Sequence, residues 1–325
     1  MTSQIDQASS TSGFKTRHLA VVGLGLMGGG LAMALRDRAD VITGMDLNPE
    51  TRQYALDHHI VDYATDDLKQ AVNEADTVIL AAPVRVIADI LRLRIGTYLR
   101  SNTFLIDIGS TKYDICDAMG RLPVGIGAIG GHPMAGKENS GIQASDPTIY
   151  QGRPFVLCRT RRTTPATRER ALLFAEAIGA EALEMDAERH DRIVAGISHL
   201  PYILSASMVA TIANEAQSDQ AFWQLAAGGF RDMSRLAASD IKMMGDILST
   251  NTRAVATLLA MFRVQLAQLE TMLISGEHDK LLEMLTPARE ARLDWVENYE
   301  QKRSNGHTHH QTRQSLTRDN TGSRG

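Results

Sequence analysis

The stretch HLAVVGLGLMG, residues 18–28, decides the fold that this sequence predicts. Its apolar start is typical of a buried β-strand, and Gly23, Gly25 and Gly28 then form the spacing G-x-G-x-x-G at the start of a predicted helix. In such a turn the first glycine permits a sharp bend, the second lets a diphosphate approach the backbone, and the third lets the helix pack closely on the strand. The free N–H groups at the helix start attract anions. This pattern predicts a dinucleotide-binding turn.

An acidic residue at the end of the second predicted strand, Asp46, supports the same ligand. It follows Gly28 by 18 residues, where an acid accepts hydrogen bonds from ribose hydroxyls. A carboxylate there repels a 2′-phosphate, and neither Leu47 nor Asn48 offers an arginine for one, so NAD is preferred over NADP. Two alternatives stay open: a glycine turn without a cofactor, and Asp46 as the cap of a turn or helix. The predicted cofactor residues are Gly23, Gly25, Leu26, Met27, Gly28 and Asp46.

Short β-branched runs alternate with helical stretches through the first half of the chain. The predicted strands are His18–Gly23, Val41–Asp46, Thr77–Ala81, Phe104–Asp107, Val124–Gly130, Pro154–Arg159 and Glu181–Met185. Because short connections join these strands to helices, we expect βαβ units and a parallel sheet. After Asp186 the apolar residues recur at helical spacing instead. The predicted fold class is therefore α/β, with an N-terminal Rossmann-type doubly wound parallel sheet followed by an all-α helical domain.

The length of 325 residues fits two domains, which we place at residues 18–186 and 187–300. The polar segment 1–17 and the tail 301–325 are both predicted to be disordered. The tail carries a charge of +4, whereas the whole chain carries −4. The first 300 residues are therefore acidic, which gives no support for a nucleic-acid partner.

Several other classes of protein are excluded on composition. Two cysteines, Cys116 and Cys158, are too few for a disulfide scaffold or a cysteine-rich metal site. The sequence has no H-x-x-x-H pattern either, so no metal is predicted. We find no apolar signal-peptide core and no run of about 18 apolar residues. These observations predict a cytoplasmic protein without a membrane span.

Two polar loops at the carboxyl ends of predicted strands contain candidate catalytic residues, because ligands of open α/β sheets bind at that edge. Ser110 follows the fourth strand, where its hydroxyl either donates to a substrate or only caps the next helix. His132 lies between Gly131 and Pro133 at another strand end. Imidazole is the usual proton-transfer group near neutral pH. A structural histidine is the alternative, but the position favours catalysis.

The second half adds candidates for substrate binding. In the stretch SHLP, Pro201 cannot donate to the carbonyl of Ile197, so we expect a kink there. His199 at that kink either lines a cleft or is a buried, hydrogen-bonded histidine. Arg235 follows a Gly-Gly turn and would suit an acidic substrate, the alternative being a surface arginine. Lys112 is a further local positive charge for an anionic ligand within the acidic body.

Five motifs, in this order and at this spacing, are typical of one family. Through them the chain resembles the prephenate dehydrogenases, with arogenate dehydrogenases as close relatives, over residues 19–295. The motifs are GLGLMG at 23–28, DIGSTK at 107–112, GGHPMAGKENSG at 130–141, SHLP at 198–201 and GGFRDMSRLAASD at 228–240. The resemblance implies NAD-dependent oxidation of a cyclohexadienol ring hydroxyl with loss of the ring carboxylate as CO2. It also implies a homodimer formed through the helical domain.

The resemblance further implies a role for each candidate residue. His132 would draw off the proton of the ring hydroxyl, and Ser110 would orient that hydroxyl. His199 and Arg235 would line the substrate site, with Arg235 on a carboxylate, and Glu138 would join a polar network near the entrance. The chain departs from the family where Ile241 and Met244 replace a frequent proline and tryptophan, which weighs against a gating role of that aromatic residue but not against the chemistry.

Other functions compete with prephenate oxidation. Arogenate carries a side-chain amino group where prephenate has a keto group. No residue in the sequence can be assigned to bind either group, so the sequence does not distinguish the two substrates. A non-catalytic NAD sensor is a second alternative, although a site without catalytic activity has no physical reason to keep both His132 and Ser110. Other two-domain hydroxyacid dehydrogenases commonly use a lysine on the first long helix of the helical domain. The segment 187–199 contains no lysine, which weighs against that class.

Overall fold

A computed structural model describes residues 13–300 except 94, 137 and 138, without the side chain of Glu300. Within this range, eight strands form one sheet in the order β3-β2-β1-β4-β5-β6-β7-β8. Their bounds are β1 Thr16–Val22, β2 Ala39–Met45, β3 Tyr63–Thr65, β4 Thr77–Leu80, β5 Phe104–Asp107, β6 Gly127–Pro133, β7 Pro154–Arg159 and β8 Glu181–Met185. All neighbouring strands pair in parallel except β6 and β7. The predicted α/β class with a Rossmann-type sheet is confirmed.

Helices cover both faces of this sheet and follow it along the chain. Their bounds are α1 Leu26–Ala34, α2 Pro49–Asp57, α3 Leu68–Val72, α4 Val84–Leu93, α5 Ile95–Tyr98, α6 Tyr113–Gly120 and α7 Pro165–Ala177. After the sheet come α8 Ala187–Val194, α9 Leu200–Glu215, α10 Ala221–Gln224, α11 Gly228–Ser234, α12 Ile241–Thr250, α13 Thr252–Ser275 and α14 His278–Trp295. The stretches 195–199 and 296–300 are π-helical, and 235–238 is a 3-10 turn.

Alternating residues of β1 show why the sheet is doubly wound. Leu19 and Val21 belong to a core that includes residues of α1 and α7, whereas Ala20 and Val22 belong to a core with residues of α4 and α6. Successive side chains of a strand point to opposite faces, so a strand that is apolar throughout must be covered on both. The sequence of β1 meets this requirement.

Among the described strands, the antiparallel pairing of β6 with β7 is an exception to the predicted parallel pairing. In the described residues between these strands, only two short 3-10 turns form, at Ile142–Ala144 and Pro147–Tyr150. A parallel return needs a crossover of about a dozen residues, usually a helix. Because no such helix carries the chain back across the sheet, β7 runs in the opposite direction.

The N-terminal boundary also differs from the prediction. Within the segment 1–17, strand β1 begins at Thr16, and Phe14 is buried with its ring centroid 5.5 Å from that of Phe174. The polar composition of the segment as a whole led to the prediction of disorder, although Phe14 packs in the core. The remainder of the segment, 1–12, and the tail 301–325 lie outside the described residues.

By compactness the chain divides within α13, into units 1–255 and 256–325. The first unit holds the sheet together with the helices up to α12, because α8 packs on α6 and α12 packs on α4. The second unit holds the rest of α13 and α14. The last strand nevertheless ends at Met185, so everything from Ala187 onward in the described residues is helical or irregular.

Candidate active site

The glycine turn between β1 and α1 has the geometry that a diphosphate requires. Gly23 has a φ of +97°, and a Cβ there would lie 2.6 Å from the carbonyl oxygen of Ala81. A Cβ on Gly28 would lie 1.8 Å from the carbonyl oxygen of Gly23. A Cβ on Gly25, by contrast, would meet nothing within 4 Å, and no side chain caps the helix start. The second glycine therefore borders open space where N–H groups of α1 are free for an anion.

Asp46 braces this turn. Its Oδ2 accepts from the N–H of Leu24 at 2.9 Å, and its Oδ1 accepts from the N–H of Asn48 at 2.9 Å. The carboxylate is half-buried at the end of β2, so it keeps exposed surface for a ribose hydroxyl. Asp46 is thus a turn cap, and the same position suits the predicted contact with NAD.

Two residues that the sequence did not single out hold the first turn of α1 in place. The hydroxyl of the buried Tyr150 donates to the carbonyl oxygen of Met27 at 2.5 Å, and Ser145 Oγ donates to that of Gly25 at 3.4 Å. Leu26 and Met27 are half-buried beneath this segment. No motif reveals these contacts, because they join positions more than 100 residues apart.

A buried ion pair lies under the loop that carries Ser110. Lys112 Nζ donates to Asp107 Oδ2, and both side chains are fully buried. Asp107 also accepts from the N–H groups of Gly109 at 2.8 Å and Gly131 at 3.1 Å. Burial raises the pKa of Asp107, and the charge of Lys112 opposes that rise. The pair therefore fastens the Ser110 loop to the strand that carries His132.

This position corrects the prediction that Lys112 binds substrate. Its side chain has no exposed surface and its ammonium group is committed to Asp107. An unpaired ammonium is too costly to bury, so the lysine side chain keeps its partner and is not available to a ligand. Ser110, two residues earlier, is half-buried at the carboxyl edge of the sheet, as predicted for a residue that meets a ligand.

His132 lies within β6 and is joined to the first helix after the sheet. Its Nδ1 is 2.8 Å from Nε2 of His190, and Nδ1 of His190 is 2.7 Å from Oδ1 of Asp191. His132 is partly exposed, whereas His190 and Asp191 are buried. Burial lowers the pKa of His132 well below its ordinary value, and the neighbouring titratable groups His190, Lys112 and His199 lower it further. The imidazole is therefore neutral near pH 7 and able to accept a proton.

His199 ends the π-helical stretch at 195–199, where the sequence predicts an irregular helix before Pro201. Its side chain is buried, and its Nδ1 is 3.2 Å from Nδ2 of Asn251, which also donates to the carbonyl oxygen of Asp191 at 2.7 Å. Burial lowers the pKa of His199 to about 4, with Asp191 opposing and His190 adding to the shift. Of the two alternatives for His199, the contact of Nδ1 agrees with a buried, hydrogen-bonded histidine. A contact between Nε2 and the substrate stays a prediction.

Arg235 begins the 3-10 turn that packs on α9, where Ser205 Oγ accepts from the N–H of Ala237 at 3.0 Å. The arginine is exposed, which agrees with a group that meets an anionic ligand or with a surface residue. Of the two residues that replace the family's proline and tryptophan, Ile241 is exposed and Met244 is buried. Glu138 lies outside the described residues.

Comparisons with known proteins agree on one family. Family models described as prephenate dehydrogenase, nucleotide-binding domain, and prephenate dehydrogenase, dimerization domain, match residues 31–184 and 186–287. A cyclohexadienyl dehydrogenase of Zymomonas mobilis is 32% identical over 281 residues, which is 85% of this chain and 95% of that protein.

Solved structures give the same result. The structure of Synechocystis arogenate dehydrogenase has a TM-score of 0.75 at 30% identity, over 86% of this chain and all of that one. A prephenate dehydrogenase from A. aeolicus, in complex with hydroxyphenyl propionate and NAD+, has a TM-score of 0.77 at 28% identity, over 86% of this chain and 98% of that one.

Proposed function

The chain belongs to the prephenate dehydrogenase family, and from that premise we propose that it oxidatively decarboxylates prephenate to 4-hydroxyphenylpyruvate, a step towards tyrosine. It is an NAD-dependent dehydrogenase. The observation that carries the substrate chemistry is His132, a neutral, partly exposed imidazole whose Nδ1 is held by a second histidine. It stands at the same sheet edge as Ser110 and the glycine turn.

The residues present fit NAD. The open space beside Gly25 would receive the diphosphate, and the exposed part of Asp46 would receive the adenosine ribose. When bound, the nicotinamide supplies a hydride acceptor. Preference over NADP follows from the carboxylate of Asp46, which repels a 2′-phosphate.

In the proposed reaction His132 accepts the proton of the ring hydroxyl through its free Nε2, while Ser110 orients that hydroxyl. Loss of this proton builds carbonyl character at C4, which makes hydride departure from that carbon easier. The resulting dienone is a vinylogous β-keto acid, so its ring carboxylate leaves as CO2 without a metal. The electron pair that remains makes the ring aromatic, and the proton held by His132 returns to the phenolate oxygen. No net proton is gained or lost.

The substrate carries two carboxylates, and its recognition is proposed from single residues. Arg235 is assigned to one carboxylate because it is exposed and carries a fork of N–H donors. His199 and Glu138 are assigned to the substrate site on the resemblance alone. Arogenate is the second candidate substrate, favoured by the fold shared with an arogenate dehydrogenase.

A paired assay tests the function. Purified protein is mixed with prephenate or arogenate, each with NAD or NADP, and NADH absorbance and CO2 release are followed. We expect turnover with prephenate and NAD. Turnover with arogenate alone would transfer the proposal to that substrate, and NAD binding without turnover of either would replace it with a non-catalytic sensor.

We also propose a homodimer formed through the helical region, which matches a dimerization-domain model. In the second unit many large apolar side chains are exposed, among them Met261, Val264, Leu273, Ile274, Leu282 and Trp295. Burial of such a surface in a second copy would remove it from water.

One helical stretch, Ala187–Glu215, is long and apolar enough to cross a membrane by length and composition. The stretch meets these measures on its mean hydropathy and contains no run of about 18 apolar residues, and a core helix meets the same measures. Its residues Asp191 and His199 are buried in hydrogen bonds within the first unit, which supports a place for the first part of this stretch in the protein core. A cytoplasmic location without membrane, nucleic-acid or metal partners stays a prediction.

A further inference from the structure

We propose that His190 and Asp191 are positioning residues that fix which nitrogen of His132 carries its proton, and so make Nε2 of His132 the catalytic base. The expected effects on kcat rest on the proposed function, whereas the expected positions of the ring hydrogens do not. It depends on a chain of three side chains, His132–His190–Asp191, with successive contacts of 2.8 and 2.7 Å.

The chain is anchored at Asp191. Its Oδ1 accepts from the N–H of Lys112 at 2.7 Å and its Oδ2 accepts from the N–H of Tyr113 at 2.9 Å, at the start of α6. A carboxylate offers only acceptors, so the contact with Nδ1 of His190 requires that this nitrogen carries the hydrogen. The start of a helix also favours a negative charge.

The direction of every later hydrogen bond follows from this anchor. A neutral imidazole has one N–H, so His190 that donates through Nδ1 must accept through Nε2. Nδ1 of His132 is the atom that faces this acceptor, and it must therefore carry the hydrogen of that ring. Nε2 of His132 is left with a free lone pair.

Burial makes this arrangement rigid. His190 is 1% exposed, so solvent does not compete for its two ring nitrogens, and α8 packs on α6, to whose start Asp191 is bound. The charged and titratable groups that act on His132 are Lys112, from the loop before α6, and His190 and His199, from the helical stretch 187–199. All three disfavour a positive charge on His132, which keeps the free lone pair available as the pH falls.

Asp191→Asn is the first test, because it reverses the pattern. The amide nitrogen of asparagine can donate to Nδ1 of His190, which then carries its hydrogen on Nε2 and donates to His132. Nε2 of His132 would then be protonated and unable to act as a base. We expect kcat with prephenate to fall ~100-fold or more, in the range for a lost general base, with the Kd for NAD unchanged.

His190→Gln and His190→Leu form a matched pair. The glutamine carbonyl can accept from Nδ1 of His132, whereas leucine cannot. We expect His190→Leu to lose ~100-fold in kcat, as for a disabled base, and His190→Gln to recover at least a tenth of wild-type kcat. Equal losses in both would overturn the proposal, because a packing role would not distinguish them by hydrogen bonding.

The decisive readout needs no cofactor or turnover. Nitrogen NMR of the ¹⁵N-histidine-labelled full chain distinguishes protonated from bare ring nitrogens, and His132→Asn identifies the His132 signals by their loss. We expect hydrogen on Nδ1 of His132 in wild type and on Nε2 in Asp191→Asn. His58→Gln, at an exposed histidine, should leave the His132 signals and kcat unchanged.

The outcomes separate the two proposals. Hydrogen on Nε2 of His132 in wild type, or on both nitrogens of His190, would overturn the positioning role whatever the activity. A wild-type enzyme that shows the expected tautomers but oxidises neither prephenate nor arogenate would instead overturn the proposed function.

Discussion

At the scale of single residues, the chemistry depends on one imidazole. We predict that His132→Asn lowers kcat with prephenate by ~100-fold or more, because asparagine cannot take the hydroxyl proton. The Kd for NAD should be nearly unchanged, since the glycine turn and Asp46 make no hydrogen bond to His132. Initial rates of NADH formation and a fluorescence titration with NAD measure the two quantities. Wild-type kcat in the variant would refute the role of His132 as the base.

A second residue-scale prediction concerns His199 and the stability of the fold. Burial lowers its pKa to about 4, so between pH 6.5 and 4 the unfolded chain binds a proton that the folded chain excludes. The free energy of unfolding should therefore be highest above pH 6.5 and fall as the pH drops towards 4. The fall from this residue is ~3 kcal/mol at most.

Urea titrations at several pH values measure this dependence. The variant His199→Asn should show a shallower fall over the same range, because its side chain does not titrate. His132, whose pKa is also lowered, retains its share of the slope in this variant. An equally steep fall in His199→Asn would show that His199 is not buried in its neutral form.

At the scale of elements, the glycine motif between β1 and α1 meets two requirements, space for a diphosphate at Gly25 and close packing of the helix at Gly28. A Cβ on Gly25 would enter open space, whereas a Cβ on Gly28 would collide with the carbonyl oxygen of Gly23 at 1.8 Å. We predict that Gly25→Ala weakens NAD binding by at least ~10-fold with little change in Tm, because its methyl group occupies the diphosphate position. Gly28→Ala should instead lower stability by ~1–3 kcal/mol, as overpacking does.

Thermal unfolding without cofactor and NAD titration of both variants distinguish these effects. Gly25 has a φ of −71°, which alanine adopts without strain, so backbone conformation does not confuse the comparison. A loss of Tm in Gly25→Ala as large as that in Gly28→Ala would show that the second glycine is structural and leave the phosphate position unsupported.

Elements also show how far the sequence could be read. The strand that ends in the glycine turn was predictable, because its apolar run, its glycine spacing and Asp46 are local in the chain. The reversed β7 was not, since nothing in its own residues distinguishes an antiparallel strand from a parallel one. The contact of His132 with His190 was not predictable, because the two residues lie 58 positions apart and meet only when α8 packs on α6 and β7.

Lys112 shows the opposite error. Its position after a strand end is typical of a ligand-binding charge, yet it is buried against Asp107. The partner lies only five residues away, but the sequence does not reveal which of the two groups turns inward. Burial depends on packing of the whole sheet, which local patterns do not encode.

At the scale of the whole molecule, the exposed apolar residues of the second unit lead to the last prediction. Leu273 is 62% exposed and Ile274 is 81% exposed, both near the end of α13. If a second copy covers them, a glutamate at either position buries an unpaired charge in the interface, which costs several kcal/mol. Leu273→Glu and Ile274→Glu should therefore shift a dimer towards monomer at micromolar concentration.

Light scattering after size-exclusion chromatography measures this mass. Val124→Glu is the matched control, because Val124 is 85% exposed yet lies in the first unit beside the sheet, outside the region that matches the dimerization-domain model. It should leave the dimer intact. A wild-type monomer, or dissociation by Val124→Glu alone, would contradict an interface on the helical region. Because the exposure of large apolar side chains to water is unfavourable, either result would require another explanation for the apolar surface of the second unit.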